Sequence, residues 1–158
     1  MPLKLSREEQ YGIMALIDLS RNTNSGSSRV KSIAARQAIP TRFLEQIFSK
    51  LRQADLVIGK RGPTGGYTLS RPAQEIKLNT VMDALRPSKI QVTRETKGLS
   101  SNLAQAVNSV WSEIEILFQN SLKEVSLAHL SNRAEKLFTE EAEVTAESVV
   151  AATTSDFI

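Results

Sequence analysis

The chain has 158 residues, none of them cysteine and only one, His129, a histidine. With no thiol there is no disulfide, no thiolate metal site and no cysteine nucleophile, and a lone imidazole cannot form a histidine cluster. No apolar run approaches the roughly 18 residues that a membrane span requires, and the opening MPLKLSREEQ lacks the apolar core of a signal peptide. The expected compartment is the cytoplasm. No nucleophile–base pair and no paired carboxylates stand in a cleft-like context, so nothing supports an enzyme. Gly62, Gly65 and Gly66 do not make a P-loop, because no Gly-Lys-Ser/Thr follows them and they lead into a strand.

What the chain does have is an uneven distribution of charge. The net charge is +3, but residues 29–71 hold nine Lys or Arg against two acids, a balance of +7. Residues 1–28 are neutral, and residues 72–158 carry −4. A basic segment inside an otherwise mildly acidic chain is the footprint of a polyanion partner, although a charge run alone is as often a solvated surface.

Within that segment, TRFLEQIFSKLRQADLVIGKRGPTGGY (41–67) reads as an amphipathic helix, a short strand and a glycine-rich hairpin tipped by Lys60 and Arg61. Phe43, Ile47, Phe48, Leu51 and Ala54 recur at helical spacing and form the expected buried face. The other face is Arg42, Glu45, Gln46, Ser49, Arg52 and Gln53, long polar side chains of the kind that reach base edges in a major groove. Leu56-Val57-Ile58 is expected to pair with Tyr67-Thr68-Leu69, and the glycines between them allow positive φ and close backbone approach. In isolation RGPTGGY is a plain hairpin with a basic tip; directly after a polar-faced helix it reads as the wing of a winged helix.

The flanking segments fit this frame. Ser6-x-x-Glu9 is a capping box opening a first helix rich in Tyr11, Ile13, Met14, Ala15, Leu16, Ile17 and Leu19. The run Asn-Thr-Asn-Ser-Gly-Ser-Ser ends it. A second helix turns Val30, Ile33, Ala34 and Ala38 inward, and its start at Ser28-Arg29-Val30-Lys31 would present amides and bases to phosphate. Pro40 makes the turn, Thr41 caps the recognition helix, and Asn79 or Thr80 caps a brief helix that Pro87 stops. From 102 a long helix carries Leu103, Val107, Val110, Trp111, Ile114, Leu117 and Phe118 on one apolar stripe. Such a stripe either packs back on the first helices or meets its own copy in a second subunit. The three-helix core already present favours the second, and a two-fold dimer would read a near-palindrome. Ser126 caps a last helix.

The expected architecture is mainly α with a small β-hairpin. A winged helix-turn-helix domain spans 1–87, a loop 88–101, dimerisation helices 102–138 and a flexible acidic tail 139–158. The candidate DNA-binding residues are Arg29, Lys31, Thr41, Arg42, Glu45, Gln46, Ser49, Lys50, Lys60, Arg61 and Thr64; those of the dimer are the seven stripe residues. Glu45 has a competing reading as an intrahelical partner of Ser49 or Arg52.

LEQIFSKLRQADLV followed by RGPTGGYTLSRP resembles the Rrf-type family of bacterial winged-helix transcription regulators. The similarity begins at Tyr11 and the Ala15-Leu16-Ile17-Asp18 run, continues through Ile33-Ala34 and Phe43 to Phe48, and returns at Trp111 and Val125-Ser126-Leu127. The resemblance implies a homodimer on double-stranded operator DNA, with Arg42, Glu45 and Gln46 at base edges and Arg61 in the adjacent minor groove. A carboxylate such as Glu45 fits there by accepting from a cytosine amine. Members that sense through a [2Fe–2S] cluster hold it with three cysteines and a further ligand. At the equivalent positions this chain has Thr93, Leu99, Gln105 and Asn108, so no such cluster, and no other cofactor or metal, is expected. His129 reads as a surface residue. A different class of reading, also implied by relatives, is an interaction module docked on a metabolic enzyme.

Overall fold

A computed structural model describes residues 4–22, 26–86 and 102–140. Helix α1 (Arg7–Arg21) starts on the expected capping box: Ser6 Oγ accepts from the Glu9 amide at 3.2 Å, and Glu9 Oε2 accepts from the Ser6 amide at 2.7 Å. Helix α2 (Val30–Gln37) ends on Ala38, whose φ of 52° lies in the left-handed region. That residue reverses the chain into Ile39-Pro40 and helix α3 (Thr41–Gln53). Pro40, not Thr41, is the N-cap of α3, and no side chain caps it; Thr41 is already helical. Proline serves here because its fixed φ suits a helix start and it has no amide to leave unpaired.

Helix α3 ends through a second left-handed residue, Asp55 (φ 54°), which turns the chain so that the Leu56 amide donates to the Leu51 carbonyl at 2.9 Å. Strands β1 (Val57–Lys60) and β2 (Gly66–Leu69) then form an antiparallel hairpin in which Val57 faces Leu69 and Lys60 faces Gly66. Helix α4 (Leu78–Leu85) starts one or two residues before the expected caps. Lys77 is its N-cap without a side-chain bond, and the Leu78 amide is satisfied instead by the Val125 carbonyl at 2.9 Å. A long-range backbone bond of this kind leaves no local signature. Helix α5 (Asn102–Glu124) follows, and residues 127–140 form a last helix, α6.

The core is where α1, α2, α3 and α4 meet. Leu16, Ile33, Leu44, Ile47, Phe48, Leu51, Val81 and Leu85 are all buried there. Leu44 belongs to the buried face of α3, while Phe43 is half-buried and stands edge-on to Tyr11, ring centroids 5.8 Å apart. A side chain at Gly12 would begin 2.3 Å from a Leu85 methyl, so any larger residue there would have to displace the buried Leu85 side chain between α1 and α4.

Two carboxylates are buried in this core rather than exposed. Asp18 accepts from Arg36 at 2.6 and 3.0 Å and from Gln37 at 2.8 Å, tying α1 to α2. Burial alone would push the Asp18 carboxyl up, but the bonds from Arg36 and Gln37 outweigh it and hold it below the ordinary value. Glu9 is likewise held down: against the penalty of burial stand its bonds with the Ser6 backbone and with Arg86, 3.0 Å away after α4.

Helix α6 packs on the winged domain. Leu127 joins its core, the Leu127 and Ala128 amides donate to the Ile76 and Ala73 carbonyls at 2.8 and 3.1 Å, and Ser131 meets Ser20 at 3.1 Å. Residues 125–131, grouped from the sequence with the dimerisation helices, are thus part of the body that carries the wing. Thr139 and Glu140, placed at the start of the tail, continue α6. The loop 88–101 and the tail beyond 140 lie outside the described residues.

Candidate nucleic-acid interface

The buried face of α3 fixes what its other face presents. With Leu44, Ile47, Phe48 and Leu51 turned inward, residues 42, 45, 46, 49, 52 and 53 fall on one outward stripe at the 3,4 spacing of a helix. Arg42, Glu45, Gln46, Arg52 and Gln53 are exposed and Ser49 is half-buried. Among the described residues the Glu45 side chain makes no ion pair, with Arg52 included. Thirteen residues of helix give a rod about 20 Å long, short enough to lie in a major groove about 12 Å wide.

The cations around this stripe fall into two groups. Arg36, Lys50, Arg71 and Arg86 are each paired with a protein carboxylate: Asp18, Glu8 (2.6 Å), Asp55 (3.3 Å) and Glu9. Lys31, Arg42, Arg52, Lys60 and Arg61 are exposed and make no ion pair among the described residues. Lys50, named from the sequence as a DNA contact, therefore sits on the flank of α3 against α1 and reaches Glu8. Thr41 is half-buried in the first turn, and Lys31 is exposed in the first turn of α2.

The wing is held to the start of α2. Ser28 and Tyr67 exchange two backbone bonds, of 2.9 and 2.8 Å, in an isolated antiparallel bridge. The Ser27 hydroxyl donates to the Thr64 carbonyl, and the Arg29 guanidinium donates to the Pro63 carbonyl at the wing tip. A Cβ at Gly66 would lie 2.6 Å from the Ser28 backbone, so only glycine lets the two segments touch. The sequence reading offered the Ser28 amide to phosphate; it is committed to Tyr67 instead. It also missed Ser27 and Ser28 as wing contacts, because they stand 37 and 39 residues from their partners in a stretch that reads as an ordinary turn. Lys60, Arg61 and Thr64 remain exposed at the tip.

Helix α5 turns its apolar stripe away from the protein. Leu103, Val107, Val110, Trp111, Ile114 and Leu117 are between 49% and 74% exposed, whereas Asn108, Ser112 and Gln119 on the other side are half-buried. Polar residues facing the domain and large apolar ones facing outward invert what a helix packed only on its own core requires. Phe118 borders the two faces, half-buried, with its ring centroid 6.0 Å from the Arg86 guanidinium carbon.

Comparison with known proteins gives these features a context. The model of the Rrf2 family, described as an iron-dependent transcriptional regulator, matches residues 5–133. An HTH-type transcriptional regulator of Haemophilus influenzae, itself assigned provisionally, is 30% identical over 83% of this chain and 88% of its own length. The HTH-type transcriptional regulator IscR of Cereibacter sphaeroides is 37% identical over 69% of this chain and 74% of its own. The solved structure of T. potens IscR superposes with a TM-score of 0.69 at 31% identity, over 87% of this chain and 92% of that one.

The description of that family model implies iron, and the donors in this chain do not fit it. There is no cysteine, His129 is exposed on α6, and no three of His, Asp and Glu converge among the described residues. Gln105 and Asn108 lie on α5, while Thr93 and Leu99 fall outside the described residues. Carboxamides, a hydroxyl and a leucine cannot replace the thiolates of an iron–sulfur cluster.

Proposed function

Because this chain belongs to the Rrf2 family of transcriptional regulators, we propose that it is a cluster-free regulator that binds double-stranded operator DNA as a homodimer in the cytoplasm. The uncovered polar face of α3 carries this reading. Arg42, Glu45 and Gln46 stand exposed beside Lys31, Arg52, Lys60 and Arg61, cations that no protein carboxylate neutralises among the described residues. In the reading, α3 lies in the major groove with Arg42 and Gln46 donating to base edges and Glu45 accepting from a cytosine amine. Arg61 enters the neighbouring minor groove, and the lysines hold the register on phosphate.

A second copy covers the α5 stripe. Six apolar side chains, each at least 49% exposed, on a helix about 35 Å long make a self-complementary seam, and pairing them about a two-fold axis sets two α3 helices toward one face of the duplex. The operator is then a near-palindrome whose half-sites lie about one helical turn apart, or a multiple of it.

The test is to enrich bound duplexes from a random-sequence pool with the purified protein and then titrate the winner by fluorescence anisotropy at several salt concentrations. With three or four phosphates neutralised per protomer, log affinity is expected to fall against log salt with a slope of about −5 to −7. A pool that never enriches, or affinity indifferent to salt, overturns the reading.

A further inference from the structure

We propose that Arg29 is a positioning residue for the wing, acting on DNA through Arg61 and not through a phosphate of its own. The inference rests on the DNA-binding reading above and adds to it the means by which the wing is aimed. A two-stranded hairpin is marginal in water, and this one carries Lys60, Arg61, Pro63 and Thr64 exposed at its tip. What steadies it is the segment just before α2. The Ser28–Tyr67 bridge adds a third backbone edge to the hairpin, and the Ser27 hydroxyl reaches the Thr64 carbonyl. The guanidinium of Arg29, the N-cap residue of α2, closes on the Pro63 carbonyl, two residues from Arg61.

These contacts join the wing tip to the backing helix of the helix-turn-helix. Asp18 fixes α2 on α1, and Ile33 of α2 shares the core with Leu44 of α3. The angle between the α3 face and the Arg61 side chain is therefore set through Arg29 before DNA arrives. The bond is exposed in the free protein and correspondingly weak; once a duplex displaces water from the tip, the same charge-assisted bond strengthens. One of its N–H donors is engaged by a carbonyl, which orients the guanidinium toward the wing, whereas Lys31, Lys60 and Arg61 have no such bond among the described residues.

A double-mutant cycle on the selected duplex separates positioning from direct contact. Arg61→Ala alone is expected to weaken binding about tenfold at low salt and Arg29→Ala about three- to tenfold, and the double variant should bind about as weakly as Arg61→Ala alone. Hydroxyl-radical footprints of Arg29→Ala should lose minor-groove protection at the flanks while keeping the major-groove contacts of α3. Arg29→Lys, which can still donate to Pro63, should restore both. Urea midpoints of all variants confirm that the fold is intact, and a variant that fails this check is replaced by Arg29→Gln. If the two losses multiply, or if Arg29→Ala leaves the flanking protection in place, Arg29 is a phosphate contact and the proposal is wrong. If the wild-type protein binds no duplex at all, it is the DNA-binding reading that fails.

Discussion

Replacing Arg36 with alanine should destabilise the fold and reverse part of its response to acid. The Asp18 side chain is 3% exposed and its partner Arg36 42%. Removing one member of a fully buried ion pair costs about 3–5 kcal/mol, because the remaining charge has left water without compensation. Here the arginine side is open, so water enters the vacated space and solvent screening already weakens the pair; about 2 kcal/mol is the appropriate figure. With an m-value of about 2 kcal/mol/M, the urea midpoint at neutral pH should drop by about 1 M.

The pH dependence carries the sharper signature. In the wild type the folded-state pKa of Asp18 lies below its unfolded value, so its contribution is complete above about pH 4 and is lost as pH falls through the lower, folded value. Without Arg36 the penalty of burial is opposed only by Gln37 and Asn22, and the folded-state pKa rises. If it rises past the unfolded value, Asp18 favours folding at low pH and opposes it as pH climbs. Urea unfolding at fixed protein concentration from pH 3 to pH 7 would show the gap between variant and wild type narrowing as pH falls. A gap that is constant with pH, or absent at neutral pH, would refute the assigned role of the Asp18–Arg36 pair.

Other outcomes follow from the same geometry. Ala38→Gly removes a left-handed strain at φ 52° and should raise stability by about 0.5–1 kcal/mol in thermal unfolding, with DNA affinity unchanged. Gly66→Ala puts a methyl 2.6 Å from the Ser28 backbone; operator binding should fall severalfold by anisotropy while helix content by circular dichroism stays constant. Ile114→Asp, on the exposed stripe of α5, should yield monomers in sedimentation equilibrium, since covering one such side chain is worth about 1.5–3 kcal/mol and an aspartate there must stay wet. A variant that stays dimeric would show that another surface holds the two copies.

The parts legible in the sequence are those governed by local periodicity. The capping box of α1, the buried and polar faces of α3, the presence of the hairpin and the stripe of α5 all follow from residues within one or two turns of each other. The hairpin register does not, since setting 56–58 against 67–69 is one residue out from the observed pairing of Val57 with Leu69, and β1 runs on through Gly59 and Lys60. What the sequence hid is long-range. Asp18 is a lone charge in an otherwise apolar run until α2 brings Arg36 and Gln37 to it, and Lys50 reads as a free cation until α1 offers Glu8. Arg29 belongs to the same class: its partner is the wing tip 34 residues away, and no spacing rule announces a guanidinium that holds a carbonyl. The docking of helix α6 on the winged body is hidden in the same way, because backbone bonds from Leu127 and Ala128 to Ile76 and Ala73 carry no side-chain pattern.

The most direct measurement is a methylation-interference and hydroxyl-radical footprint of the wild-type protein on its selected duplex, set beside that of Arg42→Ala. Two symmetric major-groove patches centred about 10 base pairs apart, or a multiple of that, flanked by minor-groove protection and both weakened in the variant, are the expected result. A single unpaired patch, or protection that Arg42→Ala leaves untouched, would contradict recognition by paired α3 helices.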